Sequence, residues 1–159
     1  MTRRSVAAGR RGYFGIGIEN SKTPSNVGTL WRSAFTFRAA FIFTIGRRYA
    51  PQASDTVKAW KHVPLLRYED LAAFWEALPR DCPVIGVEQD ERAKPLETFL
   101  HPERAIYLLG AEDHGLSREA RKRCHALVQI ESRFCLNVAV AGSIVLWHRD
   151  MTRRRDAGD

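Results

Sequence analysis

The sequence contains no apolar run of the about 20 residues that a bilayer-spanning helix needs. Its first twelve residues carry four arginines but lack the apolar stretch of a secretory signal. Its three cysteines, Cys82, Cys124 and Cys135, are too few and too far apart for a disulfide framework or a zinc site. We therefore expect a cytoplasmic protein that holds no metal ion.

Several common cofactor and nucleophile motifs are also missing. The glycines of "GYFGIG" (12–17) lie inside a predicted strand, whereas a dinucleotide-binding motif places them in a strand-to-helix turn. The sequence has no Gly-Lys-Ser/Thr phosphate-binding loop and no serine in a nucleophile elbow. These absences argue against a dinucleotide-dependent enzyme, a nucleotide triphosphatase and an α/β-hydrolase.

The composition is that of an ordinary globular domain, with 45% apolar and 27% charged residues in a chain of 159. Apolar runs and helical periodicity predict a single α/β domain over residues 13–152, between a flexible basic arm (1–12) and a flexible tail (153–159). Its sheet is expected to be mostly parallel and flanked by helices. The predicted strands are 13–20, 39–46, 82–88, 105–110 and 126–130, and the predicted helices are 27–37, 69–78, 117–124 and 135–151. In the last helix one face is shared by Leu136, Val140, Ile144, Trp147 and Met151.

Three of the predicted strands run into polar or glycine-bearing loops, "GVEQ" (86–89), "GAEDHG" (110–115) and "IESRF" (130–134). Ligands of parallel sheets bind beyond the carboxyl ends of the strands, so these loops predict a pocket. The neighbours Asp113 and His114 suggest an acid–base pair, but sequence neighbours seldom face each other in a loop, so the pattern favours a turn residue or a substrate contact.

The net charge of +7 favours a polyanionic partner, because each neutralised phosphate releases counterions. Arg118, Arg121 and Lys122 lie within two turns of the short basic helix and are candidate RNA contacts. The same charges are also compatible with a solvated helix face.

Three stretches contain polar residues or glycines that the packing of an apolar core does not explain. The first is "SNVGTLWRS", with Asn26, Gly28 and Arg32, and the second is the loop with Gly110, Glu112 and Gly115. The third is Asn137, inside the otherwise apolar "CLNVAVA". In this order and spacing they resemble the three motifs of the SpoU/TrmH branch of the SPOUT RNA methyltransferases. The likeness spans roughly residues 13–147, with Cys135 and Glu131 in place of the family's usual serine and proline.

The resemblance implies a deep trefoil knot near the C-terminus and a homodimer whose active site is completed across the interface. It also implies an S-adenosylmethionine-dependent enzyme that methylates a ribose 2′-hydroxyl of tRNA, or of rRNA. A base-methylating enzyme of the same fold and an inactive RNA-binding knot protein are the alternatives.

The resemblance also implies roles for individual residues. Arg32 would act on the ribose hydroxyl, Asn26 and Glu112 would orient Arg32 and the knot loops, and Asn137 would tie those loops together. The cofactor would be bound by residues from all three loops: Val87, Gly110, Ile130, Cys135 and Leu136.

Overall fold

The computed structural model describes residues 12–48 and 58–156, so the predicted basic arm lies outside the described residues except for Gly12. Seven strands form one sheet with the order β3-β2-β1-β6-β4-β7-β5. The strands are β1 (Tyr13–Glu19), β2 (Phe41–Ile45), β3 (Leu65–Tyr68), β4 (Val84–Val87), β5 (Lys94–Pro95), β6 (Arg104–Leu109) and β7 (Ala126–Gln129).

Every strand pair in this sheet is parallel. The central strands β1 and β6 pair with each other, and both are continuous apolar runs that the sheet buries on its two faces. The predicted α/β class and its mostly parallel sheet are therefore confirmed.

In the described part of the chain four α-helices cover the sheet: α1 (Pro24–Thr36), α2 (Leu71–Glu76), α3 (Arg118–Arg123) and α4 (Val138–Asp156). On one face α1 and α4 pack together over a core that includes Ile16 and Tyr107. On the other face α2 and α3 cover an aromatic cluster, in which the rings of Phe43 and Phe74 stack at 4.9 Å. The site described below lies where the loops at the carboxyl ends of the strands meet α1 and α4.

Two strands were not predicted from the sequence, and the helices start up to three residues away from their predicted starts. Strand β3 is an edge strand with half of its side chains exposed, and β5 has only two residues, so neither produces a clear apolar pattern. Helix α1 begins at Pro24, three residues earlier than predicted, because the fixed φ of proline suits the first helical position.

The apolar face predicted for the last helix is not its buried face. Leu136, Val140 and Trp147 are 38%, 45% and 52% exposed, and Leu136 precedes the first turn. The side that packs on the sheet carries Val138, Ala139, Gly142, Val145, Leu146, His148 and Arg149. The helix also continues to Asp156, so residues 153–156 of the predicted tail are helical, and residues 157–159 lie outside the described part.

A buried polar network explains why α4 turns this side inward. Arg149 is 1% exposed, and its guanidinium donates to the carbonyls of Pro102 and Glu103 and to the hydroxyl of Tyr107. His101 lies between the Tyr107 hydroxyl, at 2.6 Å, and His148 Nδ1, at 2.9 Å. Polar groups can be buried when their hydrogen bonds are met, and apolar periodicity alone does not reveal this. No helix of residues 12–48 and 58–156 is long and apolar enough to cross a membrane.

Candidate active site

A cavity of about 550 Å³ opens at the carboxyl ends of β4, β6 and β7. All five residues that the sequence assigned to cofactor binding contribute to its wall, as do Glu112 and Asn137. The structure therefore brings together the three loops that the sequence placed at one edge of the sheet. The five predicted residues are Val87, Gly110, Ile130, Cys135 and Leu136.

Glu112 is the centre of a hydrogen-bond network at the cavity wall. Its Oε1 accepts from Asn26 Nδ2 at 2.9 Å, from the Thr23 amide at 3.1 Å and from Ser21 Oγ at 3.2 Å. Its Oε2 accepts from the Lys22 amide at 3.0 Å. The carboxylate thus satisfies backbone donors just before α1 and holds the start of that helix against the loop after β6.

The same contacts set the charge of Glu112. Partial burial alone would raise the pKa of Glu112, but the hydrogen bonds from Asn26 and from the amides of Lys22 and Thr23 outweigh it. The net pKa lies below the ordinary value of 4.5, so the side chain is a carboxylate at neutral pH.

Asn137 extends this network to α4. Its Nδ2 donates to Asn26 Oδ1 at 2.9 Å, and its Oδ1 accepts from the amides of Ala139 and Val140. Asn137 therefore caps α4. The sequence prediction placed Asn137 inside the last helix, but the residue is exposed and lies just before the first turn.

The loop after β6 is closed by backbone contacts that require glycine. A Cβ at Gly110 would lie 2.0 Å from the carbonyl carbon of Gly115 and 2.1 Å from the Leu116 nitrogen. Gly115 has a φ of +65°, and the Leu116 amide donates to Glu88 at 2.7 Å. Closure of the loop by itself therefore excludes a side chain at Gly110.

Asp113 and His114 also lie in the cavity wall. Arg48 binds both oxygens of Asp113, at 2.7 and 3.1 Å, and these hydrogen bonds hold the pKa of that carboxyl well below its usual range. His114 Nε2 lies 3.6 Å from Asp113 Oδ2, and the imidazole is mostly exposed. The structure leaves both interpretations of the Asp113–His114 pair open.

Arg32 is not part of the cavity wall. It lies on the exposed side of α1, and its guanidinium has no hydrogen-bond or ion-pair partner among residues 12–48 and 58–156. Asn26 and Glu112 bind each other, and neither has a hydrogen bond to Arg32 among the described residues. Because Arg32 follows Asn26 by six positions on one helix, those residues fix its position only through the start of α1.

The candidate RNA contacts on α3 are not equivalent. Arg118 and Lys122 are exposed, whereas Arg121 is half-buried and lies 3.5 Å from Asp90. Arg123, next in the chain, lies over the ring of Trp75 at 4.6 Å. Part of this basic helix therefore serves packing, whereas the charges of Arg118 and Lys122 face solvent.

Several residues of the site were not predicted from the sequence. Ser21 is fully buried beneath Glu112, Arg48 anchors Asp113, and Gln89 donates to the carbonyl of Ile130. The signal for Ser21 was available, because it follows β1 directly and every parallel strand ends at the same edge. No motif around Arg48 in the sequence indicates its contact with Asp113.

The residues of this cavity and its network fall within the match to one family. The family model of the SpoU rRNA Methylase family matches residues 14–147. The chain belongs to the SpoU rRNA methylase family.

Relatives of this SpoU-family chain include an uncharacterised tRNA/rRNA methyltransferase of Archaeoglobus fulgidus. It is 28% identical over 144 residues, which cover 86% of this chain and 63% of the relative. The tRNA (guanosine(18)-2′-O)-methyltransferase TARBP1 of Mus musculus is 26% identical over 144 residues, which cover 85% of this chain and 9% of TARBP1.

The SpoU methyltransferase AviRb of Streptomyces viridochromogenes, solved in complex with AdoMet, has a similar fold. The TM-score is 0.77 at 22% identity, over 94% of this chain and 60% of AviRb. At this identity the likeness shows the fold. The SpoU-family chain spans less than two thirds of the length of all three proteins.

Proposed function

We propose that the chain transfers the methyl group of S-adenosylmethionine to a ribose 2′-oxygen of RNA, with tRNA as the favoured substrate. The observation that carries the proposal is the meeting of three distant segments at one cavity, joined through Glu112, Asn26 and Asn137. Two relatives support it, because TARBP1 is named a tRNA 2′-O-methyltransferase and AviRb was solved with AdoMet. We also propose that the protein is cytoplasmic, which cell fractionation would test.

The cavity has the chemistry that S-adenosylmethionine needs. Its volume of about 550 Å³ lies in the range of small-molecule sites. Val87, Leu109 and Leu136 provide apolar wall for an adenine ring. Among the described residues that line the cavity, three are carboxylates and none is a lysine or arginine, which suits a ligand that carries a sulfonium and an ammonium group. The carboxylates are Glu88, Glu112 and Asp113.

When bound, S-adenosylmethionine supplies an electrophilic methyl group, which the ribose oxygen takes in an in-line displacement that releases S-adenosylhomocysteine. The residues of the chain must align the ribose and assist the loss of one proton. Arg32 aligns the ribose and assists the loss of its proton while it remains a cation, because a guanidinium in a protein does not give up its own proton. It binds the phosphate beside the target ribose and polarises the hydroxyl, and the phosphate or a water accepts the proton.

In the homodimer that we propose, Arg32 of each subunit lies at the cavity of the other subunit. Arg32 lies away from the cavity of its own chain, so we infer that it completes the cavity of the other subunit. The exposed apolar side chains of Val140 and Trp147 on α4 provide a surface that two copies can share about a twofold axis. Trp147→Glu is expected to give monomers by light scattering and to abolish methyl transfer. A Trp147→Glu protein that stays dimeric would contradict this interface.

Subunit complementation tests the shared site. Arg32→Ala and Gly110→Ala are each expected to be inactive, the second because the loop that forms the cavity cannot close. In a heterodimer of the two, one cavity has an intact wall and receives Arg32 from the other subunit, so activity returns. If Arg32 acted within its own chain, the heterodimer would stay inactive. Cys135→Trp, which fills the cavity from its wall, serves as a second cavity-defective partner.

Two measurements separate the proposal from its alternatives. Titration calorimetry is expected to show binding of S-adenosylmethionine, and transfer of labelled methyl groups should favour bulk tRNA over rRNA. A 2′-O-methyl group blocks alkaline cleavage at its own nucleotide, so the modified RNA should show one gap in its alkaline ladder. A methylated RNA with a continuous ladder indicates a base-methylating enzyme, and RNA binding without turnover indicates an inactive binder.

We also propose the knot of the SPOUT fold, in which residues 130–138 pass through the loop after β4. The contacts from Gln89 to Ile130 and Ser132 support it, because they join those two segments. An extended chain spans at most about 3.6 Å per residue. Pulling a knotted chain by its ends should leave it measurably shorter than this limit, whereas an unknotted chain reaches it.

A further inference from the structure

Phe134 is a large aromatic side chain that the described part of the fold leaves open to solvent. It is 76% exposed and lies on the loop between β7 and α4. Its neighbours Ser132 and Cys135 line the cavity, but Phe134 does not. Phe134 therefore lies on a loop that contributes to the cavity wall, but its own side chain is outside that wall.

The loop that carries Phe134 is held in place by hydrogen bonds. Ser132 Oγ donates to the Phe134 carbonyl at 2.8 Å, and Gln89 Nε2 donates to the Ile130 carbonyl at 3.2 Å. At its other end, Asn137 caps α4 and binds Asn26. An ordered loop that presents an exposed aromatic ring loses little further conformational freedom when a ligand binds to that ring.

A cation accompanies the ring. The guanidinium of Arg133 lies 5.6 Å from the centroid of Phe134. Proteins bind single-stranded nucleic acid by stacking bases on aromatic rings beside cationic groups that contact the backbone. The net charge of +7 favours a polyanion over an apolar partner here.

We propose that Phe134 and Arg133 form a stacking platform that holds one nucleobase of the RNA substrate over the mouth of the cavity. The inference rests on the proposed function, because the base that it holds positions the neighbouring ribose for methyl transfer. Phe134 stacks on the base and Arg133 contacts the adjoining phosphate. Phe134 is thus a positioning residue that acts on RNA and leaves the binding of S-adenosylmethionine unchanged.

The test compares two probes that carry the same phosphates, an adenosine decamer and a decamer of abasic ribose phosphates. Wild-type protein is expected to bind the adenosine decamer more tightly, by the about 5- to 150-fold that one stacked base contributes. Phe134→Leu keeps an apolar side chain without a ring and should remove this preference. Phe134→Trp should keep it and show quenched fluorescence with the adenosine decamer only.

Leu100→Ala is the matched control, because Leu100 is 86% exposed and does not line the cavity. It should bind both probes as the wild type does. Equal affinity of wild type and Phe134→Leu for the adenosine decamer overturns the proposal. So does a Phe134→Leu protein that becomes monomeric, because Phe134 would then be a contact between subunits.

Failure of the platform can be told apart from failure of the proposed function. If the wild type does not bind S-adenosylmethionine, the proposed function is wrong, whatever the two decamers show. If the cofactor binds but the wild type does not discriminate between the decamers, only the platform is wrong. In methyl-transfer assays Phe134→Leu should raise the KM for tRNA and leave calorimetric cofactor affinity unchanged.

Discussion

Asn137 donates a hydrogen bond of 2.9 Å to Asn26, although the two asparagines are 111 positions apart in the chain. Asn26 in turn donates to Glu112 at 2.9 Å, and Asn137 accepts from the first amides of α4. Two carboxamides and one carboxylate therefore join the starts of α1 and α4 to the loop after β6. Through these hydrogen bonds Glu112 and Asn137, two residues of the cavity wall, are tied to the start of α1.

Two substitutions of Asn26 should differ in their dependence on pH. Asn26→Ala leaves Asn137 and Glu112 without their partner and should cost about 1–3 kcal/mol of unfolding free energy. Asn26→Asp keeps the shape but places a second carboxylate against Glu112, so it should be more harmful at pH 7. At pH 5 one proton can bind between the two carboxylates and the difference should narrow.

Urea unfolding and calorimetric titration with S-adenosylmethionine at both pH values measure these effects. If Asn26→Asp and Asn26→Ala have the same unfolding free energy and cofactor affinity at pH 7, the contact between position 26 and Glu112 does not contribute to either quantity.

Two glycine-to-alanine substitutions should act in opposite directions. Gly28 lies inside α1. Apart from its chain neighbours and the backbone of α1 itself, no atom of the described residues lies within 4 Å of the position that an added Cβ would take, so Gly28→Ala should stabilise the fold by about 0.5–1 kcal/mol. Gly110→Ala drives a methyl group into the backbone of Gly115 and should destabilise the fold and abolish cofactor binding. Thermal unfolding of the two proteins beside the wild type measures both, and a destabilised Gly28→Ala would contradict the open space around α1.

The buried histidine at position 101 should make the fold sensitive to acid. Burial lowers the pKa of His101 to about 3, and the charges of His148, Arg149 and Arg153 act in the same direction. The unfolded chain, with an ordinary pKa of 6.5, binds more protons than the fold between these values. The contribution of neutral His101 to the unfolding free energy is therefore complete above about pH 6.5, and it is lost progressively as the pH falls towards 3.

His101→Gln removes this titration and should flatten the pH dependence of the unfolding free energy in that window. The exposed His62, replaced by Gln, provides the control and should leave the slope unchanged. An unaltered slope in His101→Gln would show that other groups cause the loss of stability in acid.

The exposed basic side chains of α3 should contribute to RNA affinity through charge. Arg118→Ala with Lys122→Ala should weaken binding of bulk tRNA and lower its logarithmic salt dependence by about 1–2. Arg121→Ala should change the salt dependence less, because Arg121 already lies 3.5 Å from Asp90. Filter binding over a series of salt concentrations measures both, and equal slopes in all variants would remove α3 from the RNA interface.

Much of the site could be predicted because its motifs are local. Gly110 and Gly115 mark a tight loop after a buried strand. Asn137 was predicted inside the last helix, and only its hydrogen bonds from the amides of Ala139 and Val140 show that it caps α4. The spacing of Asn26, Glu112 and Asn137 was sufficient for the family resemblance. It did not reveal that these three bind one another while Arg32 stays outside the cavity.

The sequence by itself determined the buried strands and the polar loops at their carboxyl ends, because apolar runs and turn residues act over a few positions. The tertiary structure decided which face of α4 is buried. Arg149 and His148 are inside because Pro102, Glu103, Tyr107 and His101 supply their hydrogen bonds, and Trp147 is left outside. Whether a polar side chain can leave water depends on partners far away in the chain, and no local pattern records them.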